Sequence, residues 1–176
     1  MSDHAQTEML PLLGAETVTL TWQEMSTAHH IAGQRINMNI ARGKIQRFGA
    51  SNGRDSDALH LMAVRGEIAV AKAFNLFWSG AVGDYKAVDV GGRVEVRAVD
   101  HADRRLIIHT DDRDELPYVL ADTSGAPTIV LRGWILGRDG KRAEWWETRV
   151  RYPAFFVPLA ALAPIATLRQ LLDTHL

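Results

Sequence analysis

The chain has no cysteine, which excludes a disulfide framework and any thiolate zinc site and fits a reducing cytoplasm. It has no apolar run near the roughly 18 residues of a membrane span, so no membrane partner is expected. The opening stretch MSDHAQTEMLPLLGAE carries neither a basic region nor a long apolar core, so a secretion signal is not expected. Positive charge is not in excess either. Twenty Lys and Arg stand against 21 Asp and Glu, a net charge of −1, so any polyanion must be met by a local patch. No internal repeat, phosphate-binding glycine loop or Ser–His–Asp order stands out.

What is present suffices for one core. At 176 residues and 47% hydrophobic composition, the length fits a single domain. We place it at residues 21–176, with its core at about 56–160 and an N-terminal tail over 1–20.

Thr21 and Glu24 have capping-box spacing, and Trp22, Met25, His29, Ala32, Ile36 and Ile40 recur at steps of three and four. A helix is predicted there, stopping at Gly43. His29 and His30 are adjacent, so they point about 100° apart and are read as packing or boundary histidines rather than a chelating pair. Arg35, Arg42, Lys44, Arg47 and Arg54 then follow with no acid between them. They form either a solvated face or a phosphate-binding patch.

After the turn-rich GASNGRDSD, a second helix is predicted over about 56–74. Leu59, Met62, Ala63, Gly66, Val70, Ala73 and Phe74 mark its inward face, and Glu67 falls among them. A carboxylate buried there unpaired would cost several kcal/mol. It must therefore snorkel, pair with a base or help hold a cation.

The stretch DVGGRVEVR, residues 89–97, sharpens that choice. Strict alternation puts Val94, Val96 and Ala98 on one face and Arg93, Glu95 and Arg97 on the other, with Gly91-Gly92 as the turn of a hairpin. A two-residue loop pairs Asp89 with Val94 and sends Asp89 and Glu95 to opposite faces. A three-residue loop over Val90–Gly92 pairs Asp89 with Arg93 and puts both acids on one face. A diglycine permits either. On one face, two neighbouring carboxylates favour a hard divalent cation such as Mg²⁺ or Mn²⁺. The plain alternative is a polar outer strand face with a Glu95–Arg97 pair.

The order of these parts, an acid on a helix, an acid near a turn and then Glu95-Val96-Arg97, resembles the PD-(D/E)XK nuclease superfamily. Together with GEIAVAKA, DVGG, LIIHTDD and GWILGRD it is also similar to small phage-encoded proteins of that fold, over roughly residues 60–160. The resemblance implies an α/β fold of restriction-endonuclease-like type, a mixed central sheet flanked by helices, here with an extra N-terminal helix. It implies a Mg²⁺- or Mn²⁺-dependent nuclease acting on DNA, in the host cytoplasm if the chain is phage-encoded, with a homodimer compatible. Asp89, Glu95 and the Val96 carbonyl would be the metal ligands, and Glu67 would act through a water on the metal. Arg97 stands where the family has lysine. An arginine keeps its proton, so it would stabilise phosphate charge rather than act as base. Either a metal-bound hydroxide would then suffice as nucleophile, or Lys86 or Lys72 would stand in for the lysine, or the site would be degenerate. Loss of that lysine leaves two rival readings, a degenerate nuclease fold that binds nucleic acid and an accessory factor that binds protein.

Downstream, RLIIHT, PYVLAD and PTIVLRGWIL read as buried strands, and DDRDEL as a solvated loop. His109 and Asp111 lie near a strand end within reach of a phosphate only by fold analogy. GRDGKRAEWWET reads as a polar turn entering a strand, with Trp145 and Trp146 on opposite sides. The last 16 residues close with a short helix or two.

Overall fold

The computed structural model describes residues 14–43, 56–84 and 87–174. The apolar run PYVLAD forms β4 (Pro117–Asp122), all six residues of which are buried. Burial without alternation requires cover on both faces, and β4 has it. It pairs in parallel with β2 (Glu95–Val99) and antiparallel with β5 (Thr128–Leu136), and β5 pairs antiparallel with β1 (Glu16–Thr19). The order is β1-β5-β4-β2, which leaves β2 at an edge.

Val119 and Ala121 of β4 join Val96, Ile129 and Leu131 in a core shared with α1 (Trp22–Ala41), α2 (Ser56–Phe74) and α4 (Ile165–Thr174). Tyr118 and Leu120, one residue out of phase, face a second core with Leu106, Ile108 and Val157. That core is closed by a small antiparallel sheet, β3 (Leu106–Ile108), β7 (Ala154–Val157) and β6 (Trp146–Glu147), in the order β3-β7-β6. With the short α3 (Gly137–Gly140), the described residues form a mixed α/β fold of two sheets and four helices. No described helix is long and apolar enough to cross a membrane.

Two expectations from the sequence need correction. Residues 16–19, assigned there to an N-terminal tail, are a strand of the main sheet, because their amide and carbonyl groups complete the ladder on β5. The buried face of α1 is also rotated from the expected stripe. Ala28 and Ala32 are the buried residues, whereas Trp22 and Ile40 are 74% and 72% exposed and His29 is exposed. Small side chains let α1 and α2 approach closely, and that closeness outweighs the larger apolar groups. The capping box is as expected: the Glu24 amide donates to Thr21 Oγ1 at 3.2 Å and the Thr21 amide to Glu24 Oε2 at 2.6 Å.

The seat of α2 on the sheet depends on one glycine. A Cβ on Gly66 would lie 3.1 Å from Ala98 Cβ and 3.3 Å from Ala121 Cβ and Val96 Cγ1. Its absence lets α2 rest directly on β2 and β4. The next residue, Glu67, is thereby brought close to the open edge of the sheet.

Candidate functional site

The register left open by the sequence is settled by Val90 and Val94. Each donates its amide to the other's carbonyl, at 3.0 and 3.1 Å, so the loop is Gly91–Arg93. This is neither of the two expected loops, although its parity is that of the three-residue one. Gly91 and Gly92 have φ of 59° and 66°, a left-handed pair that side chains other than glycine adopt with strain. With Val90 opposite Val94, Asp89 stands opposite Glu95 on the same face. The Val96 amide donates to Asp89 Oδ2 at 2.8 Å and fixes that carboxylate.

The two acids disturb each other. Burial, and then the charge of Glu67, push the Asp89 pKa up. Burial, and then the charge of Asp89, push Glu95 up to about 7. The two carboxyls are coupled, and both are pushed toward the protonated form. The folded chain therefore holds a proton there more tightly than the unfolded chain does. Stability from Glu95 falls as pH rises from its ordinary 4.5 through about 7 and is level above that. Glu95→Gln keeps the shape and removes the charge. After allowance for screening at a partly exposed group, it should stabilise by about 1–2 kcal/mol at pH 8, roughly 4 °C in Tm. At pH 4 the change should vanish. Equal shifts at both pH values in thermal melts would contradict a shared, desolvated pair.

Arg97 follows on the same face. Its Nε donates to the Ile107 carbonyl at 3.0 Å, its Nη2 to Asp112 Oδ2 at 2.7 Å, and its guanidinium lies 4.9 Å from the centre of the Tyr118 ring. Burial works against its charge, but Asp112 overcompensates and the pKa is raised. Arg97 is firmly cationic. Asp112 belongs to DDRDEL, so that loop is not merely solvated. Its acid caps the His109 amide at 2.8 Å and anchors Arg97.

Glu67 resolves into one of the three options left by the sequence, pairing with a base. It is 4% exposed and takes a two-pronged ion pair from Arg35, at 2.7 and 2.8 Å, plus a 2.9 Å bond from Trp78 Nε1. Arg35 also donates from Nε to the Ala81 carbonyl at 3.0 Å, and Arg42 donates to the Gly83 carbonyl at 2.8 Å. Both thus hold the segment after α2, and Arg35 also borders the cleft that the acids share. Lys72 lies away from them, bonded to Glu24 and the Thr19 carbonyl. Lys44, Arg47, Arg54 and Lys86 lie outside the described residues.

A cleft of about 610 Å³ opens at this edge of the sheet, bordered by Asp89, Glu95 and Arg97 and by Arg35, His60, Asp111 and Arg113. Glu67 stands behind its wall. His60 and Arg113 give no signal in the sequence, where an isolated histidine on a helix and an arginine in an acidic run carry no pattern. The His60 ring lies 3.3 Å from Asn39 Nδ2, and burial, then the Arg35 charge, lower its pKa.

Among the described residues no group of three or more His, Asp or Glu side chains forms a chelating cluster. Two carboxylates are nonetheless hard oxygen donors of the kind Mg²⁺ takes while keeping several of its own waters. Comparison with family models, with curated proteins and with solved structures gives no match. The chemistry of the cleft is therefore the ground for a functional reading.

Proposed function

We propose that the chain is a Mg²⁺- or Mn²⁺-dependent nuclease acting on DNA, with a restriction-endonuclease-like arrangement of its α/β core. The observation that carries this reading is the pair Asp89 and Glu95, opposite each other on one face and bordering the same cleft. Two desolvated acids that retain a proton between them are costly for the fold. Asp89 and Glu95 would be relieved of that cost if they held a divalent cation in place of the proton.

Asp89 and Glu95 would hold the cation, with the Val96 carbonyl beside them. When bound, it supplies positive charge against the phosphodiester in the transition state and acidifies water at neutral pH. The chain's own residues do the rest. The Val96 amide keeps Asp89 oriented, and the Asp89–Glu95 pair would give up the proton it retains when a cation is held there. Arg97 contributes fixed charge and no base chemistry, since a guanidinium paired to Asp112 stays protonated. Glu67, neutralised by Arg35, raises the Asp89 pKa and so shapes the pair from behind.

The same geometry favours a second reading on one point. Arg97 and Glu67 are both engaged by partners within the fold, as in a nuclease fold that binds DNA without cutting it. The deciding experiment incubates the protein with duplex, single-stranded and branched DNA in Mg²⁺, Mn²⁺ or chelator. Metal-dependent cleavage that disappears in Asp89→Asn supports the enzyme. Binding with no cleavage under any condition supports the second reading, and absence of both supports a protein-binding accessory factor.

A further inference from the structure

A second groove, of about 570 Å³, opens further along β2, beyond Arg97. It lies where two sheet edges meet, β2 with Ala98 and β3 with Ile107. Its floor is an apolar plate. Leu106, Ile108 and Val157 turn into the second core, so strand alternation turns Ile107 and Phe156, which pair across β3 and β7, to the opposite face. These two side chains are half-buried, belong to neither core and border the groove together.

The groove is closed at the end nearest the acids. Asp89 Oδ2 takes the Val96 amide at 2.8 Å, Arg97 Nη1 lies 3.5 Å from the Val96 carbonyl, and Arg97 Nε donates to the Ile107 carbonyl at 3.0 Å. Ala98 has the parity of Val96, so its amide and carbonyl point out from the same open edge, and β2 ends one residue later. That is too little free backbone for an added peptide strand. It suits instead a planar group with a donor and an acceptor side by side, as the edge of a nucleobase has.

The rim carries both signs. Arg104, Arg105 and His101 stand with Asp100 and Asp103, and Arg104 lies 3.8 Å from Asp100. A track for phosphates alone would be basic throughout. Mixed charge over an apolar plate matches a whole nucleotide, whose base edge has donors as well as acceptors and whose phosphate would meet the exposed Arg105. The groove also continues the cleft. Glu95 and Ala98 are about 10 Å apart along one strand, roughly three base steps of a duplex and fewer of an extended single strand.

We propose that this groove holds an unpaired nucleotide next to the one at the Asp89–Glu95 pair, its base stacked on Phe156 and Ile107 and its phosphate met by Arg105. The substrate class that follows is DNA with a single-stranded stretch beside the cut, as at an end or a branch, since a base inside an intact duplex cannot reach the plate. This deepens the reading of the cleft as a DNA site and rests on it.

Fluorescence anisotropy with Ca²⁺ present tests it on three DNAs: a single strand, an intact duplex and a branched duplex. Wild type should bind the single strand and the branch about fivefold or more tightly than the intact duplex. Phe156→Leu keeps an apolar side chain in the small sheet and removes the ring. It should lose that preference, with duplex affinity within about twofold of wild type. Arg105→Gln changes an exposed residue and should weaken single-strand binding about threefold or more and lower its salt slope by about one. Melts on the same samples check the fold, and Mn²⁺ affinity by calorimetry should be unchanged in both variants. A wild type with no preference for unpaired DNA overturns the proposal and leaves the nuclease reading standing. Equal losses on all three DNAs, no loss in Arg105→Gln or a loss of Mn²⁺ affinity in either folded variant do the same. If Phe156→Leu does not fold, Arg105→Gln and the wild-type preference decide. A wild type that binds none of the three DNAs overturns both.

Discussion

Asp89→Asn is expected to abolish metal-dependent cleavage of DNA while leaving the fold as stable as before, or more so. The side-chain amide has nearly the shape of the carboxylate, and its oxygen can still accept the 2.8 Å bond from the Val96 amide. What it loses is charge. Without it the proposed cation site would keep one ionisable ligand, and the several kcal/mol of transition-state stabilisation a cation would supply there would be forfeited, about three orders of magnitude or more in rate. The same change removes the Asp89 charge that, after burial, raises the Glu95 pKa, so Tm should not fall. Initial-rate assays with a melt on the same sample separate the two effects. Activity retained in this variant would place the chemistry elsewhere.

Arg35→Ala should do the reverse, with its largest effect on stability. Glu67 is 4% exposed, and two of its three hydrogen bonds come from Arg35. Removing the guanidinium leaves a buried carboxylate with only Trp78 Nε1 as a partner and also frees the Ala81 carbonyl. Breaking a buried pair in this way costs about 3–5 kcal/mol, roughly 10 °C in Tm for a chain of this size. The double variant Arg35→Met with Glu67→Leu should recover much of that loss, because no charge is then stranded. If the double variant is as unstable as Arg35→Ala, the cost lies in packing and the orphaned charge is not its cause.

Much of this architecture is legible from local pattern. The runs at 105–110, 117–122 and 127–136 carry enough β-branched and apolar residues to read as strands, and β3, β4 and β5 lie within them. The capping box at Thr21 is a contact between neighbours three residues apart and needs no tertiary information. Glu67 is legible as an anomaly, since an acid on an inward stripe demands a partner. Its partner is not, because Arg35 lies 32 residues earlier on another helix, in a basic run that points locally to nucleic acid. The same limit hides Asp112, whose role depends on a contact with Arg97 across 15 residues.

Local pattern misleads where two signals compete. A stripe through Trp22, His29 and Ile40 favours large residues, whereas Ala28 and Ala32 allow the closer helix contact. At Gly91-Gly92 the backbone freedom that makes the turn also erases its register, which only the Val90–Val94 bridge fixes. Residues 16–19 form a strand too short to announce itself without β5 beside it.

The most direct test of the central claim is Mn²⁺ binding followed by calorimetry near neutral pH in buffers of different ionisation enthalpy. The expected result is one site on the wild type, with a heat that varies with buffer because a proton held by the Asp89–Glu95 pair is displaced on binding. That site should be lost in Asp89→Asn. A wild type that binds no Mn²⁺, or binding undiminished by Asp89→Asn, would contradict the account.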